Sequence, residues 1–88
     1  MSKKGLLKST VDALLAVTRV QVKSSNIESL GYHDTTKSVV VAFHSGDIWA
    51  YMGIDHEVFT AFVNAESIGK YFHAKIRNNA HYSDFKLT

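Results

Sequence analysis

The middle of the chain has the pattern of a sheet, and a helical pattern flanks it on both sides. Residues 38–43 give the clearest strand signal, because three consecutive valines stand at their centre. Residues 48–52 return as a second strand after the Ser45-Gly46 turn, and residues 27–32 precede the first across a polar loop. The pattern therefore predicts three antiparallel strands.

Helical periodicity appears before and after these strands. Residues 6–17 place their apolar side chains on one side of a helix, and Val20 and Val22 then alternate with polar neighbours, as in extended chain. Asp55 and Ser67 are typical N-cap residues, and each precedes a helical apolar stripe. No period continues after residue 78, so the C-terminal tail either docks back on the fold or frays.

These elements predict an α+β domain of two layers. An N-terminal helix is followed by a three-stranded antiparallel sheet and then by a C-terminal helix or broken helix pair packed on the sheet. The predicted divisions are a helical extension at 1–17, a domain at 18–82 and a tail at 83–88. The N-terminal helix covers the sheet, mediates homo-oligomerisation or contacts a membrane surface; its few lysines favour the first two interpretations.

The turn before Trp49 decides which way that ring faces. A two-residue loop sets Trp49 opposite Ala42, whereas a three-residue loop sets it opposite Val41. The longer loop is favoured, because Gly46 then takes a left-handed conformation and aromatic residues pair with β-branched ones. Trp49 and Tyr51 share one face of their strand. The favoured register directs both rings into the core, and the alternative makes them an exposed stacking platform.

Composition restricts the function classes. The 88 residues contain no Cys, which excludes disulfides and thiolate chemistry, and the formal net charge is only +2. No apolar run has the length of a membrane span or of an export signal. We therefore expect a small, mildly basic, soluble protein of the cytoplasm, or of the host cytoplasm if a phage encodes it.

The five histidines do not form a recognisable catalytic or metal motif. Acidic residues adjoin only His33 and His56, and neither cluster has the i, i+4 spacing of a helical zinc pair. The sequence also lacks a nucleophile elbow, a phosphate loop and a dinucleotide-binding motif. We predict no metal, no cofactor and no enzymatic activity.

One polar helix face is the candidate binding surface. The helix after Ser67 brings together the cations Lys70, His73 and Arg77, with Lys75 as an extension. At α-helical spacing the first three lie within about 60° of one another. Backbone amides near Ser67 and Gly69 add a predicted anion site, and the glycine permits close approach of a ligand. The alternative is an ordinary solvated helix face.

Five segments, in order, resemble the KTSC domain, which is named for its occurrence at the C-terminus of some lysyl-tRNA synthetases. The matching segments are Ser24-Ser25-Asn26-Ile27 with Gly31-Tyr32, Val39-x-Val41-x-Phe43-x-x-Gly46, the aromatic pair Trp49-Ala50-Tyr51, Ala65-x-Ser67-x-Gly69-Lys70-Tyr71-Phe72, and Ile76-Arg77. The family also includes stand-alone bacterial and phage proteins. The sequence departs from the family pattern at Gln21, Asp55 and His73, where Pro, Pro and Asn are common.

The resemblance implies this fold and a suggested role in RNA binding. Our leading hypothesis is a non-enzymatic module that binds RNA or another phosphate-bearing ligand through the basic helix face. The alternative is a phage-encoded or accessory module that binds and inhibits a host protein. Possible partners are therefore RNA, a host protein, or a second copy bound through the N-terminal helix.

Overall fold

The computed structural model describes residues 6–88. Within this range the chain forms three α-helices, one π-helical segment and five strands. In chain order these elements are α1 (Lys8–Leu15), β1 (Arg19–Gln21), β2 (Ile27–His33), β3 (Ser38–Phe43), β4 (Ile48–Met52), α2 (His56–Val63), α3 (Ile68–Tyr71), the π segment (Phe72–Arg77) and β5 (Ser83–Lys86). Residues 1–5 of the predicted N-terminal extension lie outside the described range.

The strands form one antiparallel sheet in the order β1-β2-β3-β4-β5. The α+β class is confirmed, but the prediction of three strands is wrong, because β1 and β5 extend the sheet at its two edges. The predicted element order is also wrong at its end, since a strand follows the last helix. The segment predicted as a tail docks because β4 otherwise has an unpaired edge, which β5 covers.

Helices cover both faces of the sheet, so the fold has three layers and not the predicted two. The helices after β4 cover one face, where the larger core lies. Its buried residues are Ile27, Leu30, Val39, Val41, Tyr51, Ile54, Phe62, Ile68, Phe72 and Ile76. Helix α1 lies on the opposite face, where Leu14 packs with Val40 and Ala50. Among residues 6–88, no helix is long and apolar enough to cross a membrane.

The β3–β4 turn has the favoured three-residue loop. Gly46 has a φ of +101°, and the N–H of Phe43 donates to the carbonyl of Asp47 at 2.9 Å. Trp49 therefore lies opposite Val41, and the strand register predicted from Gly46 is confirmed. This register turns the aromatic pair toward the face covered by α3 and the π segment.

The two predicted N-caps differ in their side chains. Ser67 caps α3, because its Oγ accepts a hydrogen bond from the N–H of Lys70 at 3.3 Å. Asp55 occupies the N-cap position of α2, but its carboxylate makes no capping bond and instead lies 3.3 Å from Lys37 Nζ. The predicted break near Ser67 is thus real, and it sets the direction of the last helix across the sheet.

Candidate functional site

A cleft of about 540 Å³ opens between the β3–β4 hairpin and the last helix. We call it the aromatic cleft. Its principal lining residues are Phe43, Trp49, Tyr51, Phe72, His73, Arg77 and Asp84. Four of these are aromatic, and most of the remaining lining is polar, so the cleft offers flat aromatic walls among many hydrogen-bonding groups.

The two members of the aromatic pair differ in burial. Tyr51 is 5% exposed, and its ring packs edge-on against Phe72 with the centroids 5.5 Å apart. Trp49 stacks on Tyr51 with a centroid distance of 6.4 Å and 25° between the planes, but Trp49 is only half-buried. Tyr51 is therefore a core residue, as favoured, while Trp49 forms a wall of the cleft.

The hydroxyl of Tyr51 has no hydrogen-bond partner among residues 6–88, although this side chain is almost fully buried. Burial, reinforced by the negative charge of Asp84 and opposed by Arg77, raises the pKa of Tyr51 to about 12. The hydroxyl therefore keeps its proton at neutral pH and can donate to a ligand. Because Tyr51 lines the cleft, a ligand or water there can supply the missing partner.

Two of the predicted cations lie in the aromatic cleft. His73 and Arg77 belong to the π segment, and Arg77 Nη1 lies 3.5 Å from His73 Nδ1. The wider π turn carries both side chains on one side, facing the hairpin. π-Helical turns are rare and occur often at functional sites.

The other predicted residues lie at the margin of the cleft or outside it. Lys70 lines a shallow outer depression, whose residues are Ser25, Asn26, Ser67, Gly69, Lys70, His73 and Ala74. Lys75 lines neither the aromatic cleft nor the outer depression. The predicted basic stripe is thus divided between the two parts of the site. Arg77 lines the aromatic cleft, Lys70 lines the outer depression, and His73 lines both.

Gly69 lies where the cleft and the outer depression meet. A Cβ built on Gly69 would meet only Ser24 Oγ at 3.7 Å, an ordinary van der Waals distance. The fold therefore has no steric need for glycine at this helical position. Gly69 instead lines both parts of the site. The predicted anion site at Ser67 has one backbone donor fewer, because the N–H of Lys70 already donates to Ser67 Oγ.

Asp84 is a cleft residue that the sequence did not indicate. It lies opposite Tyr51 in the β4–β5 register and has no ion-pair or hydrogen-bond partner within the described range. By contrast, Asp47 at the other end of the cleft lies 3.6 Å from Lys86 Nζ. The cleft is therefore of mixed charge. No cluster of three potential metal ligands occurs among residues 6–88.

A family model and a solved structure both indicate the KTSC domain, and one further relative is similar in sequence. A sequence model of the KTSC domain matches residues 23–82. An uncharacterized protein of Stutzerimonas stutzeri (strain A1501) is 32% identical over 69 residues, which are 78% of this chain and 96% of that protein. The crystal structure of a KTSC domain protein from Yersinia pestis is similar with a TM-score of 0.76 at 26% identity, covering 83% of this chain and all of that one.

Proposed function

This chain belongs to the KTSC domain family, and we propose that it is a non-enzymatic module that binds single-stranded RNA or a similar phosphate-bearing ligand. The observation that carries the proposal is that Trp49 and two basic residues, His73 and Arg77, line the same cleft. Modules that bind single strands combine such stacking walls with basic residues along the backbone path.

The division of the site suggests where each part of a nucleotide binds. The aromatic cleft is wide enough for a base, which stacks on the half-buried ring of Trp49. The outer depression contains Lys70 and His73 but no carboxylate, so it suits a phosphate. Gly69 lines both. Base–aromatic stacking contributes about 1–3 kcal/mol per base, which makes Trp49 the expected main contributor to affinity.

The proposal is tested by measuring the affinity of unstructured RNA against salt concentration. Two phosphate contacts give a slope of log K against log salt near −1.4, and the double variant Lys70→Ala/Arg77→Ala is expected to abolish most of it. Lys75→Ala is the control for a non-specific effect of charge, because it removes one positive charge from the segment that contains Arg77 but lies outside both parts of the site. Unchanged affinity in the double variant contradicts the proposal.

A second candidate function is protein interaction, with a host protein or a second copy as partner. It is favoured by two exposed apolar side chains, Leu7 beside α1 at 74% and Val20 on the edge strand β1 at 50%. A pull-down from bacterial lysate with and without nuclease separates the two candidates. A stoichiometric protein that resists nuclease and is lost with Leu7→Ser/Val20→Thr supports the second.

A further inference from the structure

We propose that the aromatic cleft selects guanine, with Trp49 stacking on the base, Asp84 accepting hydrogen bonds from its N1–H and 2-amino group, and the Tyr51 hydroxyl donating to O6. This inference rests on the proposed function and adds the identity of the base. It adds roles for Asp84 and for the Tyr51 hydroxyl, which neither the family resemblance nor the basic helix face assigns.

The sheet register brings the three side chains together. Asp84 on β5 lies directly opposite Tyr51 on β4, so the two point to the same face. Trp49 is two residues from Tyr51 on the same strand and therefore shares this face. The Tyr51 hydroxyl is buried and without a partner among the described residues. This part of the cleft thus presents a stacking wall, one hydroxyl donor and, at its exposed margin, the unpaired carboxylate of Asp84.

The carboxylate is the discriminating group. An ionised Asp84 only accepts hydrogen bonds, and its two oxygens fit two parallel donors. Among the four RNA bases, only guanine carries two adjacent donors, N1–H and the 2-amino group, on its pairing edge. Adenine, cytosine and uracil each place a lone pair beside their single donor group, which a carboxylate repels. Guanine O6 adjoins N1–H and accepts the remaining donor, the hydroxyl of Tyr51.

Nearby charges leave Asp84 available for this role. Lys86 is the closest cation on the same strand, but its ammonium group lies 3.6 Å from Asp47. Arg77 lines the cleft without an ion-pair partner within residues 6–88. Its guanidinium is therefore available to the phosphate of the bound nucleotide, as the salt-dependence test assumes. The Tyr51 hydroxyl thus faces the acceptor O6 of guanine, and the carboxylate faces its donor atoms.

The experiment compares labelled heptauridines that carry guanine, hypoxanthine or adenine at the central position. Dissociation constants are measured by fluorescence anisotropy with the full chain. We expect guanine to bind about tenfold more tightly than adenine. Hypoxanthine, which lacks only the 2-amino group, is expected to fall between them. Free GMP forms a separate arm: comparable affinity for GMP identifies a guanine nucleotide as ligand, and much weaker affinity identifies RNA.

Asp84→Asn is the decisive variant, because it keeps the size of the side chain but replaces one acceptor oxygen by a donor. It is expected to reduce the preference for guanine over adenine to less than about threefold. Asp12→Asn is the matched control and is expected to retain the preference, since Asp12 lies on α1, outside the cleft, and pairs with Lys8.

The outcomes separate the two levels of the proposal. RNA binding that is equally strong for guanine and adenine overturns the guanine inference and leaves the proposed function intact. An Asp84→Asn variant that keeps the wild-type preference also overturns the inference. Failure of the wild type to bind any of the oligonucleotides or GMP overturns the proposed function, and the inference with it.

Discussion

Trp49 stacks on Tyr51 with ring centroids 6.4 Å apart, yet Tyr51 belongs to the core and Trp49 lines a cleft. The core and the cleft wall are therefore consecutive layers of one aromatic arrangement. Because Tyr51 is held by Phe72 behind it, the Trp49 wall is supported by the core of the domain. Such support keeps a binding surface in position before the ligand arrives.

Tyr51→Phe is expected to change the free energy of unfolding by less than about 1 kcal/mol, because the lost hydroxyl has no hydrogen-bond partner within residues 6–88. The matched control is Tyr32→Phe, whose hydroxyl donates to the carbonyl of Ile54 at 2.6 Å. Losing that bond is expected to cost about 1–2 kcal/mol. Urea denaturation of both variants checks the difference. Equal destabilisation by the two substitutions would show that the Tyr51 hydroxyl has a structural partner.

The pKa of Tyr51 also predicts how stability depends on alkaline pH. Burial raises this pKa from 10.0 to about 12 in the folded state. The folded state therefore binds the phenolic proton more tightly than the unfolded state does. The corresponding stabilisation is complete below pH 10 and is lost as the pH rises toward 12. The difference in unfolding free energy between wild type and Tyr51→Phe should decrease over this range. A constant difference would contradict the assignment.

The fold was predictable where local chemistry decides it. Gly46 determined the turn, and the turn fixed the register of Trp49. β5 was not predictable, since Ser83–Lys86 is short and mostly exposed and forms only because β4 offers an unpaired edge. Because β5 was not predicted, the position of Asp84 beside Tyr51 was not predicted either. His73 and Arg77 lie beside the aromatic pair because of the direction in which the last helix crosses the sheet, which the sequence does not specify. The π segment of that helix also has no recognisable pattern in the sequence.

Gly69→Ala is expected to stabilise the fold and weaken ligand binding. Alanine is favoured over glycine inside a helix by up to about 1 kcal/mol, and the new methyl group would meet only Ser24 Oγ at 3.7 Å. The same methyl group narrows the opening between the cleft and the outer depression. Thermal denaturation and RNA titration of one variant test both effects. Unchanged RNA affinity in a stabilised variant would exclude this opening from the ligand path.

Gly31→Ala is the contrasting substitution, because here the fold requires the glycine. A Cβ on Gly31 would lie 2.7 Å from the carbonyl oxygen of Thr18 and 2.9 Å from Val17 Cγ1. The strand β1 would have to move away, at an expected cost of about 1–3 kcal/mol. Urea denaturation measures the loss. Stability equal to wild type would mean that β1 is not held against β2 as described.

The role of α1 is tested by two leucines. Leu14 is fully buried against Val40 and Ala50, whereas Leu7 is 74% exposed. Leu14→Ala is expected to destabilise the domain by about 2–4 kcal/mol, and Leu7→Ala to leave it nearly unchanged. Chemical denaturation compares them. A small effect of Leu14→Ala would indicate that α1 contributes little to covering the sheet.

The central claim, that ligand binds against the Trp49 wall between the hairpin and the π segment, has a direct spectroscopic test. Trp49 is the single Trp of the chain, so its fluorescence reports on the cleft alone. Titration with unstructured RNA should quench this emission to saturation, with the same dissociation constant that anisotropy of the labelled RNA gives. The quenching should be lost in His73→Ala/Arg77→Ala. RNA that binds by anisotropy while Trp49 emission stays unchanged would contradict the claim.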